Sequence, residues 1–315
     1  VQMNMVKIVG FLKNWTLPVS MSVGALLYLL FAEIPYLDAA SQVLGPILEK
    51  LFPAVMFAVL FVTFCKVDFR KMHFVHWHGM IAFFQLLFTA VATFCILYFK
   101  LKGYSLISAE AALICIIGPC AAAAPVVTVK LGGNLENMTT YTFISNAQTA
   151  ILIPVVFPLV DTNIEFTFVQ AFLLILYKVS IILLGPMAMA YIVKHYMHRL
   201  HAAILAVKDL SFYLWAFCLA IVTGTTIRNI AHAQVSACFI IIIALIALLL
   251  CVLQFYIGRI SGRRMGATVE CGQALGQKNT AFAIWIASSY LNPLSSVGPG
   301  CYIIWQNTVN SIQLW

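Results

Sequence analysis

One lysine lies deep inside an apolar stretch near the end of the 315-residue chain. It is Lys278, in the run Glu270-Cys271-Gly272-Gln273-Ala274-Leu275-Gly276-Gln277-Lys278-Asn279-Thr280-Ala281. Ionisable residues inside membrane segments are costly and usually face a cavity, where they serve an ion or a substrate. Asn279 and Thr280 beside it, and Gln306-Asn307 further on, add uncharged donors and acceptors. A cation among amides and hydroxyls suits holding an anion. It does not suit covalent catalysis: no nucleophile–histidine–acid set accompanies it. Gly276-Gln277-Lys278 also lacks the preceding spacing of a phosphate-binding loop. The chain is therefore not expected to be an enzyme or an ATP-driven pump. A duller alternative, a lysine snorkelling from a helix end, fits poorly with a position about 12 residues into its segment, near mid-depth by helical rise. For the uncharged residues the duller alternative is interhelical hydrogen bonding.

A second interrupted stretch occupies the corresponding place in the first half: Ile116-Ile117-Gly118-Pro119-Cys120, four alanines, then Pro125-Val126-Val127-Thr128. Proline removes a backbone donor, and Gly, Gln, Lys and Asn are costly in hydrocarbon. Non-helical backbone at that depth survives only where it is buried in protein or lines a wet cavity. Broken segments in matching positions of two halves are the best sequence pointer to the binding site of a secondary transporter.

The bulk composition agrees. The chain is 63% hydrophobic and 9% charged, against about 25% charged in soluble domains. Its charge of +8 does not imply nucleic acid, since no basic cluster with interleaved aromatics stands apart from the apolar segments. The nine cysteines are scattered through apolar runs and read as small buried hydrophobes. His73, His76 and His78 have no Cys or carboxylate at metal spacing. They read as part of an interfacial loop with Trp77 at headgroup level, so no metal or tightly bound cofactor is expected. No small-residue cleavage site marks a signal peptide, so the first span should be retained.

Ten membrane spans are expected, at roughly 17–35, 46–65, 79–99, 106–131, 136–160, 167–193, 209–228, 234–258, 266–290 and 298–315. Twelve lysines and arginines fall on one side and three on the other. That bias puts both termini on the cytoplasmic side by expectation, and the expected location is the cytoplasmic (inner) membrane. Ten spans divide into five and five, with residues 1–165 and 166–315 as two repeats of one integrated membrane domain. An odd number of spans per repeat forces the second copy to be inverted. The broken fourth span of each repeat would then cross the other at mid-depth, with half-helix ends meeting there.

This pattern resembles the bile acid:sodium symporter family, in its bacterial ten-helix form. The family has two inverted five-helix repeats with crossing broken fourth and ninth helices. The fourth-span pattern is close to P-G-G-x-x-S-N-V-V-T; Pro119, Val126, Val127 and Thr128 match it, while Ala124 and Pro125 replace the Ser-Asn pair. The ninth-span pattern is close to E-x-G-x-Q-N-S/T; Gly276, Asn279 and Thr280 match, Ala274 stands for the Glu and Lys278 for the Gln. A rival register puts Glu270 and Gly272 on the E-x-G but has no following Gln-Asn. Gln85 resembles the family's third-span Gln, Thr142 a fifth-span sodium-site Thr, and Gln306-Asn307 a His-Asn pair facing the substrate cavity.

The resemblance implies a substrate site at Ala124, Pro125, Thr128, Lys278, Asn279, Thr280, Gln306 and Asn307, and ion-coupling positions at Gln85, Thr142, Lys278 and Glu270. It also implies two sodium ions held by oxygens, most of which this chain has lost. Hard cations want several oxygen ligands. An ammonium about 4 Å from a sodium ion repels it by roughly 4 kcal/mol at an effective dielectric near 20. Lys278 is therefore expected to remove at least one sodium site, either as a permanent tethered charge or by releasing its proton in one conformation. Sodium and proton coupling both remain open. Glu270 either serves as counter-charge to Lys278 or sits at the cytoplasmic interface near Arg263 and Arg264.

Ser145, Asn146, Gln148 and Thr149 form a polar stretch that either lines the cavity or joins helices. Glu110 is expected near the outer mouth, within reach of water, and Lys178 has no obvious partner. The expected function is alternating-access transport of a small organic anion, such as a bile acid or another carboxylate, within a lipid bilayer. The alternative is a transporter-fold receptor that binds such an anion without flux.

Overall fold

The computed structural model describes residues 16–34, 38–160, 167–207, 210–232 and 235–314. Lys7, Lys13, Lys208, the stretch 161–166 with the expected repeat boundary, and Trp315 lie outside the described residues. Among those described, the chain is helical, with one isolated backbone bridge and no strand. The helices are α1 (Thr16–Glu33), α2 (Asp38–Cys65), α3 (His76–Tyr98), α4 (Gly103–Ile117), α5 (Ala124–Lys130), α6 (Leu135–Val160), α7 (Phe168–Leu183), α8 (Gly185–Tyr196), α9 (His198–Ala206), α10 (Leu210–His232), α11 (Ala237–Arg263), α12 (Thr268–Gly276), α13 (Thr280–Tyr290) and α14 (Val297–Leu314).

Among the described residues, five stretches are long and apolar enough to cross a membrane: Gln42–Cys65, His76–Tyr98, Leu135–Val160, Phe168–Tyr196 and Ala237–Arg263. Val19–Ala32, Gly103–Ile117 and Tyr213–Arg228 are shorter apolar helices. Large apolar side chains such as Phe94, Leu173, Ile241 and Leu249 lie exposed on these helices. In water that would be an aggregation hazard; for a membrane protein it is the surface that meets lipid.

Local sequence accounts for most helix ends. Thr167 caps α7 by accepting from the Gln170 N–H, with Gln170 returning the bond to the Thr167 N–H. Ser236 caps α11 by accepting from Phe239 N–H. The expected sixth segment is jointed at Leu184, between α7 and α8, where Pro186 has no N–H to donate. The expected linker from Lys194 contains α9, none of whose residues is buried. His201 fastens α9 to the end of α2, its Nε2 lying 2.8 Å from Cys65 O.

Helix α11 lies along α12, and its close approach needs two glycines one turn apart. A Cβ on Gly258 would strike the Cys271 carbonyl, and one on Gly262 the Ala267 carbonyl. Small residues spaced by four let membrane helices approach to backbone contact. The largest apolar core joins Phe52, Leu60 and Phe64 of α2, Leu113 and Ile117 of α4, Ile153 and Phe157 of α6, and Phe282 and Ile286 of α13.

Two sequence expectations need correction. Trp77 does not face headgroups; it is 4% exposed, its ring against His78 and Tyr141. His78 is itself buried and clasps two helix starts, with Nε2 2.9 Å from Asn137 O and Nδ1 accepting from Val75 N–H. Among the described residues no group of three His, Cys, Asp or Glu could hold a metal. Glu110 is not solvated either. It is 3% exposed and accepts from the Ser295 hydroxyl and, at 3.3 Å, from Asn292 N–H, holding the 3-10 turn Pro293–Ser296 against α4.

Candidate functional site

The two interrupted segments cross. Helix α4 ends at Ile117, residues 118–123 run without helix, and α5 begins at Ala124. Helix α12 ends at Gly276, residues 277–279 are extended, and α13 begins at Thr280. At the crossing Cys120 and Lys278 form an antiparallel bridge. Ala121 N–H donates to Gln277 O at 2.9 Å and Asn279 N–H to Pro119 O at 2.8 Å. Each break thus gives the other the backbone partners that hydrocarbon could not. Asn279 then starts α13, its side-chain oxygen accepting from Phe282 N–H at 3.2 Å.

The carbonyls freed at the end of α4 are met one by one. Gln254 donates to Cys115 O at 3.3 Å, and the Lys278 ammonium to Ile116 O at 2.8 Å. Thr149 donates to Ile117 O at 3.1 Å, and Gln85 reaches both Ile117 O at 3.0 Å and Gly118 O at 3.3 Å. The C-terminal end of a helix carries partial negative charge, so a cation is favoured there. Here the cation is part of the chain. Lys278 is 2% exposed. An ammonium has three protons to donate, and among the described residues Ile116 O is its one hydrogen-bond acceptor.

Glu270 is not brought to Lys278. It lies two turns before the break, and its Oε1 accepts from Asn134 N–H at 2.7 Å, tying the start of α6 to α12. It is 8% exposed and does not sit in an open interface.

Beside the crossing lies a cavity of about 700 Å³. Met56, Leu60, Phe64, Trp215 and Ile303 give it apolar walls; Thr142, Gln277, Lys278, Asn279, Thr280, Gln306 and Asn307 give it polar ones. It extends to the loop after α2, where Lys66, Asp68 and Lys71 are exposed. Of the expected substrate positions, Pro125, Lys278, Asn279, Thr280, Gln306 and Asn307 line the cavity. Ala124 and Thr128 are fully buried behind it. Gln306 accepts from Lys278 N–H at 3.0 Å, and Asn307 donates to Ile303 O of its own helix. Of the expected coupling positions, Thr142 lines the cavity and bonds back to Met138 O, while Gln85 is buried under the crossing. In the polar stretch of α6, Ser145 accepts from Cys120 N–H at 2.9 Å, so it and Thr149 support the crossing from behind.

Two residues that hold this centre stood out less in sequence. The Tyr302 hydroxyl donates to Gly276 O at 2.7 Å, covering the end of α12, and accepts from Gln254 at 3.1 Å. Gln254 was the visible signal, an amide inside the otherwise apolar run of α11.

An all-helical membrane protein with two broken helices crossing beside a cavity that extends to one face is built as transporters are. Residues 53–233, more than half of the chain, match the sodium bile acid symporter family, and the chain belongs to that family of symporter-type transporters. A comparison with curated proteins gave no match.

Proposed function

We propose that the chain is a secondary transporter of a small organic anion, working by alternating access and needing no sodium where Lys278 stands. The buried ammonium at the crossing carries this reading. It occupies the negative end of α4, where a carried cation would be favoured, and keeps donors in reserve beside a cavity. The mixed walls suit an amphipathic carboxylate, with the apolar body against Met56, Phe64 and Trp215 and the charge toward Lys278, Asn279 and Gln306. The volume is within the range of small-molecule sites, about 300–1,000 Å³. Ala124 and Thr128 shape the wall from behind.

The architecture proposed with it is ten spans in two inverted repeats, 1–165 and 166–315. Helix α1 packs on α10, and α2 packs on α8. These two contacts exchange when the first and second spans of one repeat are swapped with those of the other. The basic loops gather on one face. Lys194 donates to Val67 O at 2.6 Å, Lys66 to Ser211 at 3.1 Å, and Glu270 joins the α5–α6 turn to the start of α12. That face is cytoplasmic on this reading, and the membrane is the inner one.

The test is thermal unfolding of the purified protein in detergent, in sodium or potassium chloride, against pyruvate, pantothenate and taurocholate. A ligand that binds only the folded state raises the midpoint with its occupancy. The expected result is stabilisation by at least one carboxylate, equal in the two salts. Strong stabilisation by sodium alone would sink the sodium-independent reading.

A further inference from the structure

On the side of α2 and α13 away from the main cavity lies a second groove, of about 600 Å³, closed at the back by α7. Pro53 and Phe57 of α2, Lys178 of α7, and Trp285, Ser289 and Tyr290 of α13 line it. Lys178 is exposed within a membrane-spanning stretch, ten residues after Phe168. Its ammonium lies 5.6 Å from the centre of the Tyr290 ring, and among the described residues it has no carboxylate partner. The Tyr290 hydroxyl is buried and, among the described residues, has no hydrogen-bond partner. A charged lysine within a membrane span costs up to about 2.5–3.5 kcal/mol on insertion scales, and a cation–π contact returns only about 0.5–2 kcal/mol. An ammonium over an aromatic ring, in a groove that Ser289 also lines, is a donor for one carboxylate with an apolar body.

Two of the three helices that line the groove, α2 and α13, also line the main cavity. Helix α2 gives Pro53 and Phe57 to the groove and Met56, Val59 and Leu60 to the cavity. Helix α13 gives Trp285 and Tyr290 to the groove and Thr280 and Ala281 to the cavity. Helices α2 and α13 are themselves in contact. Tyr290 adjoins the Pro293–Ser296 turn, at the end of α13 remote from the crossing.

We propose that Lys178, Ser289 and Tyr290 form a second anion subsite, at the outer end of the same pathway, which takes the carboxylate of the transported anion when the cavity beside Lys278 faces the other way. This rests on the transport reading above.

Two tryptophans report the two spaces separately, Trp285 in the groove and Trp215 in the cavity. The probe is 4-bromobenzoate, a heavy-atom quencher with a carboxylate on an apolar ring, added to protein in liposomes of zwitterionic lipid. Its neutral counterpart is 4-bromobenzyl alcohol. Each component is obtained by difference from Trp285→Phe and Trp215→Phe. The expected result is saturable quenching of Trp285 by the acid, weakened about tenfold or more in Lys178→Met and by a smaller factor in Tyr290→Phe. Quenching of Trp215 should be unchanged in both variants.

Equal quenching of Trp285 by acid and alcohol, or no dependence on Lys178, overturns the subsite. If Trp285 is quenched only by brominated phosphatidylglycerol in the bilayer, the groove is a lipid site and the pathway assignment falls. Trp285 quenching that needs Lys178, in a protein that shows no carboxylate flux, upholds the subsite and removes the transport reading. Trp215 quenching with measurable flux but a silent Trp285 does the reverse.

Discussion

Lys278→Met is expected to lower carboxylate uptake into proteoliposomes by roughly 100-fold, the equivalent of about 3 kcal/mol, at a fixed sodium concentration. Methionine keeps most of the length and the apolar stem but removes the charge. The substrate then loses its counter-charge, and the Ile116 carbonyl loses its donor. A merely structural lysine would lower the folded yield without changing uptake per folded molecule, so uptake is normalised to the monodisperse fraction. The wild type should take up the anion at the same rate with and without a sodium gradient, within about twofold. Unchanged normalised uptake in Lys278→Met would end the tethered-cation mechanism. An effect confined to yield would make the residue a fastener of the crossing.

The second large effect is on folding. Gly258→Leu drives a side chain into the Cys271 carbonyl, which belongs to backbone and cannot turn aside as a side chain would. Overpacking a well-packed contact costs about 1–3 kcal/mol and more where backbone must shift. A loss beyond about 3 kcal/mol is expected here, since α12 must move away from α11 and take Lys278 with it. Gly45→Ala is the control, because a Cβ there meets nothing within 4 Å. In a thermal scan monitored by size-exclusion fluorescence, Gly258→Leu should aggregate or melt far below the wild type while Gly45→Ala follows it. A Gly258→Leu protein that melts with the wild type would mean that α11 and α12 are not held in this contact.

Both breaks were legible because they violate a strong rule. Proline at 119, and the polar run from Gln277 to Asn279, stand where hydrocarbon tolerates neither, so helix could not continue there. The joint at Leu184 was less legible, since Gly185-Pro186 interrupts the apolar pattern of one stretch without bringing in polar groups. The partners of charged residues were the least legible. The sequence left Glu270 open as either counter-charge to Lys278 or an interfacial residue; the crossing instead turns the ammonium to a carbonyl 162 residues away in the chain. Glu110 looked solvated by its nearness to the expected outer mouth, yet the turn at Pro293–Ser296 folds over it. These contacts depend on where two halves of the chain meet, which no local pattern carries. Gln254 stood out as an amide in an apolar run, but its partner and that of Tyr302 did not, since each acts on the backbone of a different helix.

The ammonium that meets α4 is fixed to the chain by its own side chain, and this has an electrical consequence. A cotransported sodium ion leaves with its cargo and cancels its charge; a lysine stays behind. If Lys278 keeps its proton through the cycle, each turnover on the proposed reading moves the bare charge of the anion across the membrane. A potential of 100 mV then contributes about 2.3 kcal/mol per charge, near 50-fold in the distribution of a monovalent anion. An inside-negative cell would drive such a carrier toward efflux. In liposomes clamped with potassium and valinomycin, uptake should be faster with the interior positive than with it negative. Equal rates would mean that a proton or another ion travels with the anion.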